Sequence, residues 1–425
     1  MSAHPASPLT LRLRLVGLLT CGTALYFFAN VQRVAVPGSI FDLLQSELHV
    51  SAPYITALGS AFMYVYALNQ LLIGLLVDRY GGARVMAIGS FFFCVGSVLF
   101  PFSGSLFMLY FSRAMIGLGA SSIYLSLVNE VMRYFNKNFT IMLSVVILIG
   151  YLGGIMANAP FVAGVGLIGW RMMLKLVALV SIVFYLLFLV AEKASGAPPI
   201  QKIPFHLGRF ATLLQRRHNR DLFLFSGLNF GLYYVLQTVL GKKFLEDFCL
   251  MSNDRAALVL SVMAITSAFS GLISAVLSRL ANNRRQIFLR ISGLTCGLVF
   301  LVITTLVLFE IRTPWIALFL CLLAFTASTS SIAIPLLRET NEPDAVGAAV
   351  SVMNFCFYIS VALFGNAVGF LMNLFKPEPR NGLLIYSSHS YLAVFGFLLL
   401  LSGLVVFHAW RLRETMGRNV AASTI

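Results

Sequence analysis

The chain is poor in charge. Asp, Glu, Lys and Arg make up 11% of its 425 residues, against roughly 25% in an average soluble chain. That leaves too little polar surface to cover a water-facing globule, so an ordinary soluble enzyme is excluded. A disordered chain is excluded too, because 59% of the residues are hydrophobic. Cysteine is sparse: Cys21, Cys94, Cys249, Cys296, Cys321 and Cys356 form no C-x-x-C pair, which argues against a disulfide scaffold and a thiolate metal site. Five of the six lie in apolar runs and Cys249 in a loop, so they read as inert buried thiols. Catalytic signatures are missing as well. There is no H-E-x-x-H, no G-x-S-x-G and no buried Asp pair, so an intramembrane enzyme has no machinery to build on. No cofactor and no metal are expected. Basic residues outnumber acidic ones, 30 to 15. They fall between apolar runs without forming an aromatic-interleaved basic surface, so no nucleic-acid partner is implied.

What the chain has is long apolar runs. A membrane-crossing helix needs about 20 apolar residues. The first run starts after Arg12 and Arg14 and extends past Val36, too long for a signal-peptide core. Others follow at 53–77, 84–104, 106–132, 139–164 and 171–192, and then at 222–244, 254–280, 286–309, 314–338, 344–373 and 389–412. They are numbered spans 1 to 12 in chain order. The fold class is an all-α polytopic membrane protein, with the lipid bilayer as its first partner. Its domains are a six-helix bundle over 1–192, a central loop over 193–220 and a second bundle over 221–425. With the N-terminus inside, twenty Lys and Arg fall on the cytoplasmic side, seven on the outer side and three within the runs. This bias places both termini in the cytoplasm. In the central loop, Phe205, Leu207, Phe210, Leu213 and Leu214 alternate with His206, Arg209, Arg216 and Arg217. The pattern fits a short amphipathic helix on the membrane surface or, equally, a disordered basic loop.

The two bundles carry a weak internal repeat. Ser121-Ser122-Ile123 with Glu130 returns as Ser330-Ser331-Ile332 with Glu339, at a constant offset. Between spans 2 and 3 the chain reads Gly74-Leu75-Leu76-Val77-Asp78-Arg79-Tyr80-Gly81-Gly82-Ala83-Arg84. This segment resembles the G-x-L-x-D-R-x-G-x-x-R signature of the major facilitator superfamily. Arg113 to Ala120 in span 4 is similar to that superfamily's R-x-x-x-G-x-G-A motif, and Gly169-Trp170-Arg171 before span 6 is typical of it. The resemblance covers nearly the whole chain. It implies two pseudo-symmetric six-helix halves that rock about a midplane solute site lined by spans 1, 4, 7 and 10. It also implies a latch in which Asp78 meets the start of span 11, around Asp344 to Gly347, and holds the cytoplasmic side closed. Gly74, Asp78, Arg79, Gly81, Arg84 and Glu130 are therefore the gating candidates. A monomer in a bacterial inner membrane is the expected setting.

Charges inside spans are costly and mark functional sites. Arg33 follows Thr23, Tyr26 and Asn30 at helical spacing, a polar face on an apolar helix. If span 1 continues to Ile40, Arg33 lies roughly 10 Å inside the outer boundary. If the helix stops at Pro37, Arg33 snorkels to the surface. Arg113 shares a face with Gly117, Ser121 and Tyr124, with either a structural or a ligand role. Asn229, Tyr233 and Gln237 on span 7 and Ser351, Asn354 and Tyr358 on span 11 offer uncharged faces. The candidate binding residues are thus Arg33, Asn30, Tyr26, Arg113, Tyr124, Tyr233, Gln237, Asn354 and Tyr358. Fixed positive charge with amide and phenol donors suits an organic anion, since guanidinium binds carboxylates and phosphates bidentately. No carboxylate and no histidine sits clearly at mid-span, so a coupling proton would ride on the substrate, or a counter-anion would be exchanged. Efflux of amphipathic compounds and uptake of a neutral sugar or amino acid remain open, and so does a non-transporting membrane sensor. Glycine-rich span 5, with Gly150, Gly153, Gly154 and Pro160, supplies either a bend or close packing.

Overall fold

The computed structural model describes residues 8–135, 139–195, 208–327, 329–342, 345–380 and 383–420. Eleven of its helices are long and apolar enough to cross a membrane, and a bent pair completes a twelfth span. Spans 1 to 6 are Pro8–Ala35, Ala52–Tyr80, Gly82–Phe102, Leu106–Tyr134, the pair Phe139–Met156 with Ala159–Ile168, and Trp170–Ser195. Spans 7 to 12 cover 217–247, Asn253–Leu280, Arg285–Leu308, 316–340, Val346–Met372 and Ser388–Arg411. Short helices Phe41–Leu48 and Gly208–Gln215 lie between spans. The described residues are all-α except for one hairpin, in which β1 (Glu378–Arg380) pairs antiparallel with β2 (Leu383–Ile385). Phe205 and Leu207 of the expected amphipathic segment fall outside the described residues. Within Gly208–Gln215, Leu213 is buried and Leu214 exposed.

Two of the connections are a single residue long. Gly81 joins spans 2 and 3 at φ +85°, and Gly169 joins spans 5 and 6 at φ +78°. Both angles lie where a side chain is strained, so glycine is the residue that permits these turns. Small residues set the helix spacing elsewhere. A Cβ on Gly119 would collide with the Phe93 and Gly89 backbones of span 3, and one on Gly96 would meet Ser112 O of span 4 at 2.7 Å. Spans 2 and 11 knit the two halves together: Ser60 donates to Ala362 O at 2.9 Å, and Gly369 sits against Thr56. In span 5 the glycines pack and the bend lies beyond them. Gly150 faces the Tyr26 ring and Gly153 the Phe27 carbonyl, whereas the 46° bend falls between Met156 and Ala159, just before Pro160.

The molecule's two ends differ. At the end reached by the 36–52 and 373–387 connections, here the far end, the halves are sealed to each other. Lys243 is 1% exposed and pairs with Asp42 at 2.7 Å across the halves and with Asp247 at 2.9 Å within its own. Tyr386 Oη accepts from Gln45 Nε2 at 2.8 Å and from Ala52 N at 3.1 Å, and its main-chain N–H donates to Asp247 at 3.0 Å. Burial holds the Tyr386 phenol neutral by pushing its pKa up. Gly38 lies against the Thr238 carbonyl, and Ala159 N donates to Ser261 Oγ at 3.0 Å. The opposite, terminal end carries the joint between spans 2 and 3 and the C-terminal tail. There Glu339 pairs with Arg285 at 3.0 Å, and Glu414 accepts from the Arg285 and Gln286 main-chain N–H groups that open span 9.

Candidate functional site

Span 1 ends at Ala35, short of Pro37. From the sequence that would let Arg33 snorkel, but the structure keeps it inside. The turn Gly38–Ile40 and the helix Phe41–Leu48 fold over the end of span 1 and pack into the sealed far end. Arg33 therefore turns across the molecule toward the second half. Its Nη1 donates to Tyr358 Oη at 3.0 Å, and its Nη2 donates to Asn30 Oδ1. Asn30 is itself held in place by donating to Tyr26 O at 2.8 Å. The guanidinium carbon lies 5.9, 5.5 and 5.6 Å from the ring centres of Tyr66, Tyr234 and Tyr358. These are cation–π distances. Arg33 Nε is buried, and no described residue accepts its proton. One donor of the guanidinium group is thus free at the centre of the molecule.

The walls of this cage are aromatic. Tyr26 stacks on Tyr124 at 5.5 Å, and Tyr66 meets Tyr358 at 4.3 Å. Phe230 stacks on Tyr234 at 4.8 Å and packs against Phe357 and Tyr358. Tyr26, Arg33, Tyr124, Asn354, Tyr358 and Phe230 keep partial exposure, whereas the far-end residues Lys243, Gln45 and Tyr386 are buried. The structure brings Arg33, Asn30, Tyr26, Tyr124 and Tyr358 together as the sequence suggests, and it adds Tyr66, Tyr234 and Phe230. Asn354 lies half-buried one turn before Tyr358.

Other candidates stand elsewhere. Arg113 is fully buried, and its three nitrogens donate to main-chain carbonyls: Nε to Leu58 O at 3.2 Å, Nη1 to Gln32 O and Nη2 to Val36 O, both at 2.9 Å. It ties the end of span 1 to spans 2 and 4. Gln237 lies in a π-helical turn, Leu236–Leu240, and donates to Leu260 O at 3.1 Å. Asn229, on the same face, donates to Ser292 Oγ at 3.0 Å. Tyr233 is buried with its ring edge toward Phe230. The face of span 7 that meets Arg33 is that of Phe230 and Tyr234, one residue over from the face of Asn229, Tyr233 and Gln237. Both faces carry polar groups, so spacing alone does not choose between them. The alternation of Phe230, Tyr234, Phe357 and Tyr358 on two spans was the signal available.

The gating candidates cluster at the terminal end. Gly74 backs onto Ser351 of span 11, whose Oγ lies 3.3 Å from where a Cβ would stand. Asp78 is exposed, Arg79 lies over the Tyr80 ring at 5.3 Å, and Gly81 makes the turn. Arg84 and Tyr80 border a mainly apolar groove of about 360 Å³ between spans 2, 3 and 4. Glu130 is buried and accepts from Ala83 N at 2.8 Å, at the start of span 3, where a carboxylate also meets the favourable end of the helix dipole. Asp344, where the segment expected to receive Asp78 begins, lies outside the described residues. At Gly347 a Cβ would meet nothing within 4 Å. The Gly169-Trp170-Arg171 segment anchors the far end. Arg171 pairs with Glu47 at 2.6 Å, and Trp170 Nε1 donates to the same carboxylate at 2.8 Å.

Comparison with known proteins agrees with this architecture. A nucleoside transporter, NupG, superposes with a TM-score of 0.69 at 17% identity, covering 93% of this chain and 98% of that one. A bacterial homologue of the human lysosomal transporter Spinster, in an inward-facing and unoccupied conformation, gives 0.69 at 15% identity over 96% and 98%. At these identities the likeness is one of fold. Among curated relatives, a probable sulfoacetate transporter, SauU, of Cupriavidus necator is 30% identical over 100 residues, 24% of this chain and 23% of that protein. A probable anion transporter 4, chloroplastic, of Arabidopsis thaliana is 32% identical over 126 residues, 29% of this chain and 23% of that one. The chain thus matches about a quarter of the length of these relatives. The family model described as Major Facilitator Superfamily matches residues 19–365. Twelve spans, the joint around Gly81 and this match over most of the chain make the protein a multi-pass membrane transporter of the Major Facilitator Superfamily.

Proposed function

We propose that the protein moves a small organic anion across the membrane by alternating access, as a secondary transporter, with Arg33 as the charge that binds it. The observation that carries this reading is the free Arg33 Nε at the centre of a tyrosine cage shared by the two halves. A carboxylate or sulfonate placed there would take the unused donor, and the Tyr358 hydroxyl and the Asn354 amide would add further donors. The ring faces of Tyr26, Tyr124, Tyr66, Tyr234 and Phe230 would hold an apolar or planar body. The partial relatives, named as probable sulfoacetate and anion transporters, agree in charge with this reading.

The sealed far end and the partial exposure of the cage support a carrier open toward the terminal end. With the Lys and Arg bias of the loops, that end faces the cytoplasm of a bacterial inner membrane. Asp78 would then be free because its latch to the start of span 11 is undone in this state. Arg79, Gly81 and Arg84 hold the joint, and Glu130 ties it to span 4. The protein acts as a monomer, each chain carrying a whole cage.

The test is thermal stability of the purified protein in detergent with benzoate, benzenesulfonate, sulfoacetate, phosphate, uridine and a cationic dye. A ligand that binds the folded state raises Tm. The expected result is a rise with at least one organic anion in wild type and none in Arg33→Gln. A rise with uridine alone, equal in both proteins, would instead assign the cage to a neutral solute.

A further inference from the structure

The charge balance of the cage also says how transport is coupled, provided the anion reading of Arg33 holds. Among the described residues no carboxylate pairs with Arg33, and the buried acidic groups are engaged at the two ends. At the far end Asp42 and Asp247 meet Lys243, Glu246 meets Lys242, and Glu47 meets Arg171. At the terminal end Asp221 meets His408 and Arg411, Glu339 meets Arg285, and Glu130 caps span 3. Arg33 is therefore a lone cation, compensated by ring faces, the Asn30 and Tyr358 oxygens and the water that reaches a partly exposed side chain.

To present the cage to the other side, the carrier must close the terminal end while the far end is still shut. That occluded state takes the water from Arg33. A charge stripped of water without a counter-ion is strongly unfavourable, and aromatic faces offset only part of the cost. A bound anion supplies the missing charge in both directions of travel. We propose that the protein is an obligate anion exchanger: the loaded carrier reorients, and the empty carrier stays on the side where it released its anion. A protonatable carboxylate at the cage would let an empty carrier neutralise itself. In this chain Asn30 stands at Arg33 instead, and Asn354 follows one turn before Tyr358 on span 11.

The experiment measures reorientation directly. Spin labels are placed at Leu43 and Leu250, exposed far-end positions on opposite halves, in a background whose native cysteines are replaced by alanine. Unliganded wild type is expected to give one distance population, and a second should appear with sulfoacetate. Unliganded Asn30→Asp, which puts a counter-charge where Arg33 already has its bond, is expected to give both populations. If Asn30→Asp does not fold, Asn354→Asp carries the same test. Two populations in unliganded wild type would overturn the proposal, and so would a single population in both folded aspartate variants. In proteoliposomes, sulfoacetate uptake should be at least tenfold faster into vesicles preloaded with sulfoacetate than into empty ones, and equal rates would overturn the exchange. If no anion binds wild type, the anion reading fails, while the unliganded distances still decide whether charge locks the empty carrier.

Discussion

Arg33 and Arg113 are both arginines set inside membrane helices, and both lie against aromatic rings. Their nitrogens tell them apart. All three nitrogens of Arg113 meet main-chain carbonyls of spans 1 and 2, and its side chain has no exposed surface. Arg33 spends Nη1 and Nη2 on a tyrosine hydroxyl and an amide, keeps Nε unpaired and retains contact with solvent. A charge within a span is thus a clue to function only when its donors are not already consumed. Arg113 holds the end of span 1 in place, and that placement is what lets Arg33 face the second half.

The comparison breaks most visibly at Arg113. Arg113→Leu removes the three hydrogen bonds that three buried carbonyls receive and loosens the junction of spans 1, 2 and 4. The expected loss is about 3 kcal/mol or more. It should appear as a collapse of the monodisperse peak in size-exclusion chromatography and a lower Tm. A variant that kept wild-type Tm but lost anion binding would move Arg113 into the site.

Lys243 is a third buried cation and sharpens the contrast, because its partners are carboxylates. Lys243→Met leaves Asp42 and Asp247 facing each other in a buried position, at an expected cost of roughly 2–4 kcal/mol. Adding Asp247→Asn should restore part of the loss in Tm. Since Lys243 and Asp42 belong to different halves, the single variant should also raise the reactivity of a cysteine placed at the buried Leu44 toward a water-soluble thiol reagent. Unchanged reactivity would mean that the Tyr386 contacts alone hold the far end shut.

Much of the fold could be read from the sequence because it depends on composition along single helices. Run lengths, the Gly81 and Gly169 turns and the Lys and Arg bias are local properties. The spacing of Tyr26, Asn30 and Arg33 also marked the face that the structure turns toward the second half, since the rest of span 1 is apolar and one polar stripe stands out. Span 7 is different. Asn229 and Gln237 follow helical spacing but bond to spans 9 and 8, while Phe230 and Tyr234, apolar by most measures, form the cage wall. Tyr66 carries no sequence signal for the same reason: a tyrosine among apolar residues looks the same whether it faces lipid or a cation. Nor could Arg113 be separated from Arg33 by sequence, since the acceptors that consume its donors are backbone carbonyls, which every residue has. The far-end lock depends on a pairing between residues about two hundred positions apart, and no periodicity reports that.

Arg33→Gln should change stability little, within about 1 kcal/mol, because it removes ring contacts and two hydrogen bonds but also an unpaired charge. Against Arg113→Leu this is the discriminating pair: one should lose the fold and keep no function to measure, the other should keep the fold and lose the anion-induced rise in Tm. Arg33→Lys keeps the charge but gives up the bidentate fork, so the Tm rise should shrink without vanishing. A full rise in Arg33→Gln would assign Arg33 to packing and end its contrast with Arg113.

The smallest effect is expected at Tyr358→Phe. The substitution keeps the ring that lies 4.3 Å from Tyr66 and 5.6 Å from the Arg33 guanidinium, and removes only the hydroxyl that accepts from Nη1. One hydrogen bond is worth about 1 kcal/mol, so anion affinity should fall roughly fivefold. The direction of change says more than its size. If Tyr358 donates to the anion and orients Arg33, the variant weakens binding at unchanged Tm. If the hydroxyl instead competes with the anion for the guanidinium, freeing Nη1 should tighten binding. Isothermal titration of wild type and Tyr358→Phe with the anion that raises Tm most separates the two. It also shows whether Arg33 reaches its substrate through Nε alone or through Nε and Nη1 together.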